Sequence, residues 1–467
     1  MKLSILISLV VVCAEAKFPP GFSFGAATSA LQIEGAWLVN NRSLTVWDNL
    51  ARVKGYVRDG ATTEHTCNSY YMYDQDISMM KEYGIKHYRL SVQWTRILPL
   101  ARDGTEPNKE AIKYYRAVLK TLREAGIEPY VNLYHNDMPA ALFVEEDGRM
   151  DDEFPKHFAY YADICFKEFG DLVKWWFTFD EPWCQSAQTY CGPDECNTKP
   201  YKVGYQMILA HAEAVDVYRK KYQKEQKGQI GINLNIEMFW PLNPNSEADK
   251  KAARRNLMFQ IGWYWNPIMT GEYPDEMTEI LKERLPKFSE EQKEKVKGSA
   301  DFLALNHYFS WVTEHGYNKS ENDYDADVNS TNSYKKEWKV NNIGFSIVPE
   351  GIYESLMFVH NTWMKGSTMP IFITENGLSR AELNIADSLT DTERIDFIAS
   401  YLSWIEKAIS EGVNVTKYFV WSLMDNFEWG KGFTGNFGLI RIQYKDNYKR
   451  IPKSSLRWYS QLIKDSE

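Results

Sequence analysis

Two carboxylates stand where apolar, β-rich runs of the chain give way to loops. Phe177-Thr178-Phe179-Asp180-Glu181-Pro182 and Phe372-Ile373-Thr374-Glu375-Asn376-Gly377 each begin as a strand and end in an acid. A carboxylate on an apolar strand costs free energy to bury, so its position calls for a use such as proton transfer or nucleophilic attack. With Glu181 and Glu375 facing each other across one rim, one acid could protonate a leaving oxygen while the other attacks or activates water. Cleavage of a glycosidic bond needs that pair. Either Glu alone would read equally well as a salt-bridge partner. The pair, with the polar groups that surround it, reads as chemistry.

Such a pair must be held by a repeated scaffold. Eight short, mostly apolar runs fit buried parallel strands: 22–28, 86–92, 128–134, 174–179, 229–235, 301–306, 370–375 and 417–422. Amphipathic helices are expected over 71–83, 109–124, 155–169, 201–222, 351–363 and 392–410. Repeated alternation predicts an α/β chain folded as a (β/α)8 barrel with elaborated loops. No linker composition interrupts it, so residues 17–467 are expected to be one domain. The helical, charged stretch 243–298 reads as an elaborated connection, and 314–340, polar and Asn-rich, as an exposed loop.

Active sites of such barrels lie at the C-terminal ends of the strands. Nearly every predicted strand delivers a polar or aromatic group there. These are Gln32 and Glu34 after the first, Arg89 on the second, and His135, Asn136 and Asp137 ending the third. Asp180 and Glu181 end the fourth, Asn306, His307 and Tyr308 the sixth, and Glu375 the seventh. Trp421 lies on the eighth, with Glu428 and Trp429 beyond it.

Composition narrows the partners. A net charge of −9 and the lack of a basic run argue against nucleic acid and against anionic membranes. The 16 Trp and 29 Tyr offer flat faces suited to sugar rings. Residues 1–16 read as a secretory signal: Lys2, an apolar core, then Ala14-Glu15-Ala16 as the cleavage site, so a secreted chain would begin at Lys17. Of the 6 cysteines, removal of Cys13 leaves Cys67, Cys165, Cys184, Cys191 and Cys196. In an oxidising compartment Cys184–Cys191 or Cys191–Cys196 could form a loop disulfide. Sequons at Asn41, Asn318, Asn329 and Asn414 are candidate glycan sites.

From Phe18 to Leu462 the chain resembles glycoside hydrolase family 1, the β-glucosidase and thioglucosidase (myrosinase) family, with a texture similar to its secreted insect members. The resemblance is carried by Phe24-Gly25-Ala26-Ala27-Thr28 with Gln32-Ile33-Glu34-Gly35, by Tyr88-Arg89-Leu90-Ser91 and by Thr178-Phe179-Asp180-Glu181-Pro182. It continues through Leu305-Asn306-His307-Tyr308, Ile373-Thr374-Glu375-Asn376-Gly377, Trp421 to Trp429 and Phe437-Gly438-Leu439. It implies a retaining double displacement on a small glycoside, with no cofactor and no metal. Glu375 would be the nucleophile and Glu181 the general acid/base. Arg89, Tyr308, Asp180 and Asn306 would support them, and Gln32, His135, Trp421, Glu428 and Trp429 would bind the sugar.

Two departures stand out. The family's usual Asn before the acid/base, which donates to the sugar 2-hydroxyl, is Asp180. Ionised Asp only accepts, so Asp180 is expected to share a proton within the cluster and to move activity into the acid range. Asn136 stands where the family usually has Trp, which would widen the sugar pocket. Hydrolysis of O-glucosides is the leading reading. A thioglucosidase acting on glucosinolates is an alternative, for which Lys199, Arg149 or Arg380 could meet a sulfate. A non-catalytic sugar-binding relative is the other.

Overall fold

The computed structural model describes residues 18–145, 148–188, 197–317, 324–382 and 384–466. At its centre eight strands close into a parallel barrel. They are β1 (Ser23–Ala27), β2 (His87–Ser91), β3 (Glu128–Tyr134), β4 (Trp175–Asp180), β5 (Gln229–Asn235), β6 (Leu303–Asn306), β7 (Ile371–Asn376) and β8 (Val415–Trp421). Each pairs with its neighbours in sequence, and β8 closes on β1 through Ser23 opposite Lys417 to Ala27 opposite Trp421. The (β/α)8 expectation and all eight strands are met, with ends that differ by a residue or two.

The helices form the outer layer because each presents one apolar stripe to the strands. The helix Lys109–Glu124 shows this pattern: Ala111, Tyr115, Val118, Leu119 and Leu122 are buried, and Asn108 caps its start by accepting from the Glu110 N–H. Inside the barrel, Tyr130, Phe177, Phe302, Phe372 and Phe419 form an aromatic plug beneath the rim. Adjacent strand residues point opposite ways. Accordingly Trp175 joins this plug, stacked on Tyr130, while Trp176 packs outward on Phe166.

The stretch 314–340 differs from the loop expected there. Ser310–His315 and Ser330–Ser333 pair antiparallel, with a helix Tyr324–Val328 between them; Asn318 lies outside the described residues. Its polar, Asn-rich sequence hid a short sheet whose outer face meets solvent. The connection 243–298 is helical as expected. Among the described residues no helix is long and apolar enough to cross a membrane.

Candidate active site

Both carboxylate strands lose their regular register just before the acid. Along β4 the pairing with β5 shifts between Phe177 and Asp180, and along β7 the pairing with β6 shifts between Ile373 and Glu375. Such irregularities re-aim side chains next to active sites. Here they let Phe177 and Phe372 fill the plug while Asp180 and Glu375, a few residues on, face the same cleft. Glu181 continues with φ of +45°, a strained conformation for a non-glycine residue, held by its N–H donating to the Asn233 carbonyl at 3.0 Å. Beyond Glu375, Gly377 lies so close to the next strand that a Cβ there would meet the Trp421 carbonyl oxygen.

One guanidinium joins the two strands. Arg89, fully buried on β2, donates to Glu375 Oε1 at 2.5 Å and, with its other terminal nitrogen, to Asp180 Oδ1. Tyr308 donates to Glu375 Oε2 at 2.7 Å. Asn306 donates to Glu181 Oε1 at 2.8 Å and reaches Asp180 Oδ1 at 3.4 Å. The Cys184 thiol donates to Glu181 Oε2 at 3.3 Å. Sequence reasoning missed Asn233, which donates to Asp180 and to Asn306 Oδ1 and accepts from Thr374 at 2.5 Å. A signal for it was present: β5 is the strand for which no rim residue was assigned, and it carries two buried amides, Asn233 and Asn235.

Burial, followed by the Asp180 carboxylate, pushes the Glu181 carboxyl up to about 8, with the Asn306 amide opposing. Burial and Asp180 push Glu375 well above the usual carboxylate range, against the opposing pull of Arg89 and the Tyr308 hydroxyl. Among the described residues Glu375 thus receives a cationic donor, whereas Glu181 receives an amide and a thiol. A proton held between them belongs on Glu181. Asp180 is ringed by N–H donors from Arg89, Asn233, Asn306 and His135.

Facing these acids is a second polar group. His135 is stacked nearly parallel to both Trp421 and Trp429, with ring centroids 5.6 and 6.1 Å away. Asn132 Nδ2 lies 3.4 Å from its Nδ1, so the proton sits on Nε2, which faces Asp180 Oδ2 at 3.3 Å. Burial lowers His135 to about 4 and keeps it neutral. Gln32 donates to Asn426 Oδ1, to the Phe427 carbonyl and, at 3.4 Å, to Glu428. Burial, and then Glu375, push Glu428 up to about 8. Asn136 is half-buried with φ of +56°. All the residues assigned to sugar binding or catalytic support therefore gather at one end of the barrel.

Other assigned residues serve the frame. Glu34 pairs with Arg96 and accepts from Tyr115. His211 meets Thr178, and His307 donates to the Ile236 carbonyl. Arg149 is buried against Tyr134 and Gln185, and Arg380 is paired with Asp387 and Glu393. Neither guanidinium is left open for a sulfate. Lys199 begins the helix Lys199–Lys221. Cys191 and Cys196 lie outside the described residues, and so do both candidate disulfides, each of which needs Cys191. Asn41, Asn329 and Asn414 are exposed.

Atoms of His135, Asp180 and Glu375 that could ligate a metal lie within 4.8 Å of one another. Arg89 already places a cation between the two carboxylates, so this donor set fits a guanidinium-neutralised acid pair rather than a metal cage. A barrel that holds one acid by a cation and a phenol and a second acid by neutral donors is the apparatus of a glycoside hydrolase. The family model "Glycosyl hydrolase family 1" matches residues 14–467. The chain belongs to glycosyl hydrolase family 1. It is 39% identical to beta-glucosidase 42 of Arabidopsis thaliana over 100% of this chain and 98% of that one. The structure of the rice beta-glucosidase Os3BGlu6, as a mutant in a covalent complex with glucose, superposes with a TM-score of 0.91 at 36% identity, covering 95% of this chain and 98% of that one. An aphid myrosinase superposes with a TM-score of 0.89 at 30% identity, covering 96% and 99%.

Proposed function

We propose that this glycoside hydrolase is a retaining β-glucosidase with Glu375 as nucleophile and Glu181 as general acid/base. The observation that carries the reading is the unequal treatment of the two acids: Arg89 and Tyr308 grip Glu375, while the donors to Glu181 among the described residues are neutral. In the first step a Glu375 oxygen bonds to the anomeric carbon, the glycosidic C–O bond breaks, and the Glu181 proton goes to the leaving oxygen. In the second, Glu181, now ionised, takes a proton from water. The water oxygen bonds to the anomeric carbon and Glu375 leaves with its electron pair. Arg89 and Tyr308 hold Glu375 in line through both steps. His135, Gln32, Glu428, Trp421 and Trp429 orient the sugar, so that binding supplies positioning.

The similarity to plant and rice β-glucosidases supports glucose as the glycone, and the retained Glu181 supports O-glucosides, whose leaving oxygen needs a proton. The segment 1–16 supports secretion, with a mature chain from Lys17. Exposed Asn41, Asn329 and Asn414 support glycan attachment. The test is a panel of nitrophenyl β-glucoside, β-galactoside and β-fucoside, salicin, cellobiose and an intact glucosinolate, with Glu375→Gln as control. O-glucoside turnover that vanishes in the control is expected. Preference for the glucosinolate would make the protein a thioglucosidase, and sugar binding without any turnover would make it a binding protein. N-terminal sequencing of protein from the medium checks Lys17.

A further inference from the structure

The two terminal nitrogens of Arg89 hold Asp180 and Glu375 side by side. A nucleophile in attack position lies about 3–3.5 Å from the anomeric carbon, so a ring neighbour of that carbon must lie against one flank of Glu375. One flank, at Oε2, carries the Tyr308 hydroxyl, whose ring packs on Phe345 and Phe437. That flank suits the ring oxygen, which bears no hydroxyl. The other flank, at Oε1, carries Arg89, Asp180 and His135, and leads to the cleft's remaining polar groups. It suits C2 and the hydroxyl-bearing edge of the sugar.

The charges around that C2 position do not balance. Asp180 and Glu375 are two carboxylates facing one guanidinium, and the remaining neighbours, Asn233, Asn306 and His135, are neutral. Asp180 Oδ1 is crowded by donors from Arg89, Asn233 and Asn306. Its Oδ2 meets only the His135 Nε2–H among the described residues, which leaves that oxygen with acceptor capacity to spare. A 2-hydroxyl would give this oxygen one hydrogen bond and no charge. A 2-ammonium would give charge-assisted hydrogen bonds and neutralise the cluster.

We propose that the site hydrolyses β-glycosides of 2-amino-2-deoxyglucose bearing a free, protonated amine, with Asp180 as the residue that selects the ammonium. The inference rests on the retaining β-glycosidase reading above and uses the same two steps; the amine forms and breaks no covalent bond. The carboxylate acts where it is most needed. Positive charge develops at the anomeric carbon in the oxocarbenium-like transition state, and an adjacent ammonium opposes it. A fixed carboxylate beside the ammonium offsets that repulsion, which an amide at position 180 would not do.

The test compares kcat/KM for nitrophenyl β-glucosaminide and nitrophenyl β-glucoside on the wild type and on Asp180→Asn. The readout is the ratio of the two substrates on one enzyme, so a general loss of activity cancels. The wild type is expected to turn over the glucosaminide. The variant is expected to shift the ratio toward the glucoside by about 100-fold or more, the scale for removing one partner of a desolvated charge pair. As a measurement independent of the variant's folding, glucosamine should inhibit the wild type at least about tenfold more tightly than glucose, as an added buried charge pair implies. An unchanged ratio, equal inhibition by the two sugars, or glucoside turnover without glucosaminide turnover overturns the inference and leaves the glucosidase reading standing. Folded protein that cleaves neither substrate overturns both.

Discussion

Replacing Glu181 by Gln keeps the shape of the side chain and the oxygen that accepts from Asn306, but removes the proton that the leaving oxygen needs. General acid catalysis is worth about 10²–10⁴ in rate, and the loss should grade with the leaving group. An alkyl β-glucoside, whose departing alkoxide requires protonation, should lose that full factor in kcat/KM; nitrophenyl β-glucoside should lose far less. The pH profile gives the sharper readout. Burial and the Asp180 carboxylate raise Glu181 to about 8, so the acid form is present below that pH and disappears as pH rises through it. Wild-type kcat/KM for the alkyl glucoside should therefore hold into the neutral range. It should fall about tenfold per pH unit above about 8, as expected for loss of one essential proton. In Glu181→Gln this alkaline limb should vanish. A limb that survives in the variant, or equal losses on both substrates, would refute the assignment of the proton to Glu181.

Four further outcomes follow from the same geometry. Because Glu181 titrates near 4.5 when unfolded and near 8 when folded, the native state holds the extra proton in that window and loses stability as pH rises through it. The stability of Glu181→Gln, followed by Tm and by chemical denaturation, should therefore gain on that of the wild type between about pH 5 and 8, by at most about 1.4 kcal/mol for each pH unit crossed. Arg89→Met leaves two buried carboxylates without their cation and should cost about 3–5 kcal/mol in chemical denaturation, with activity abolished. Asn233→Leu removes the amide that ties Asp180, Asn306 and Thr374 together. It should lower kcat/KM, as steady-state kinetics would show, because it releases both Asp180 and the Asn306 that holds Glu181. Gly377→Ala should destabilise the fold, since the new methyl would press on the Trp421 carbonyl oxygen; a Tm indistinguishable from that of the wild type would contradict that close approach.

Much of this architecture was legible in the chain. The barrel shows because short apolar runs alternate with helices whose stripes recur at helical spacing, and the rim shows because those runs end in polar residues. Asp180 and Glu375 could be placed at strand ends from their neighbours, but not aimed. Their direction depends on register shifts after Phe177 and Ile373, which a period of two along the strand does not reveal. Asn233 escaped because its amide, like that of Asn235 two residues on, identifies no partner until β4, β6 and β7 are in place. The proton's position also needed three dimensions. The sequence reading set the like charges of Asp180 and Glu375 side by side, whereas the unequal donors, Arg89 and Tyr308 on Glu375 against Asn306 and Cys184 on Glu181, show only once the strands are assembled. The short sheet within 310–333 was hidden by its polar, solvent-facing composition.

The central claim is that Glu375 forms a covalent bond to the sugar. A 2-deoxy-2-fluoro-β-glucoside with a dinitrophenolate leaving group needs no acid to react and slows release of the glycosyl-enzyme, so peptide mass spectrometry of the inactivated protein can locate the bond. The account predicts one fluoroglucosyl group on the peptide containing Glu375, and none in Glu375→Gln. A label on Asp180 or Glu181, or a folded protein that takes up no label, would contradict it.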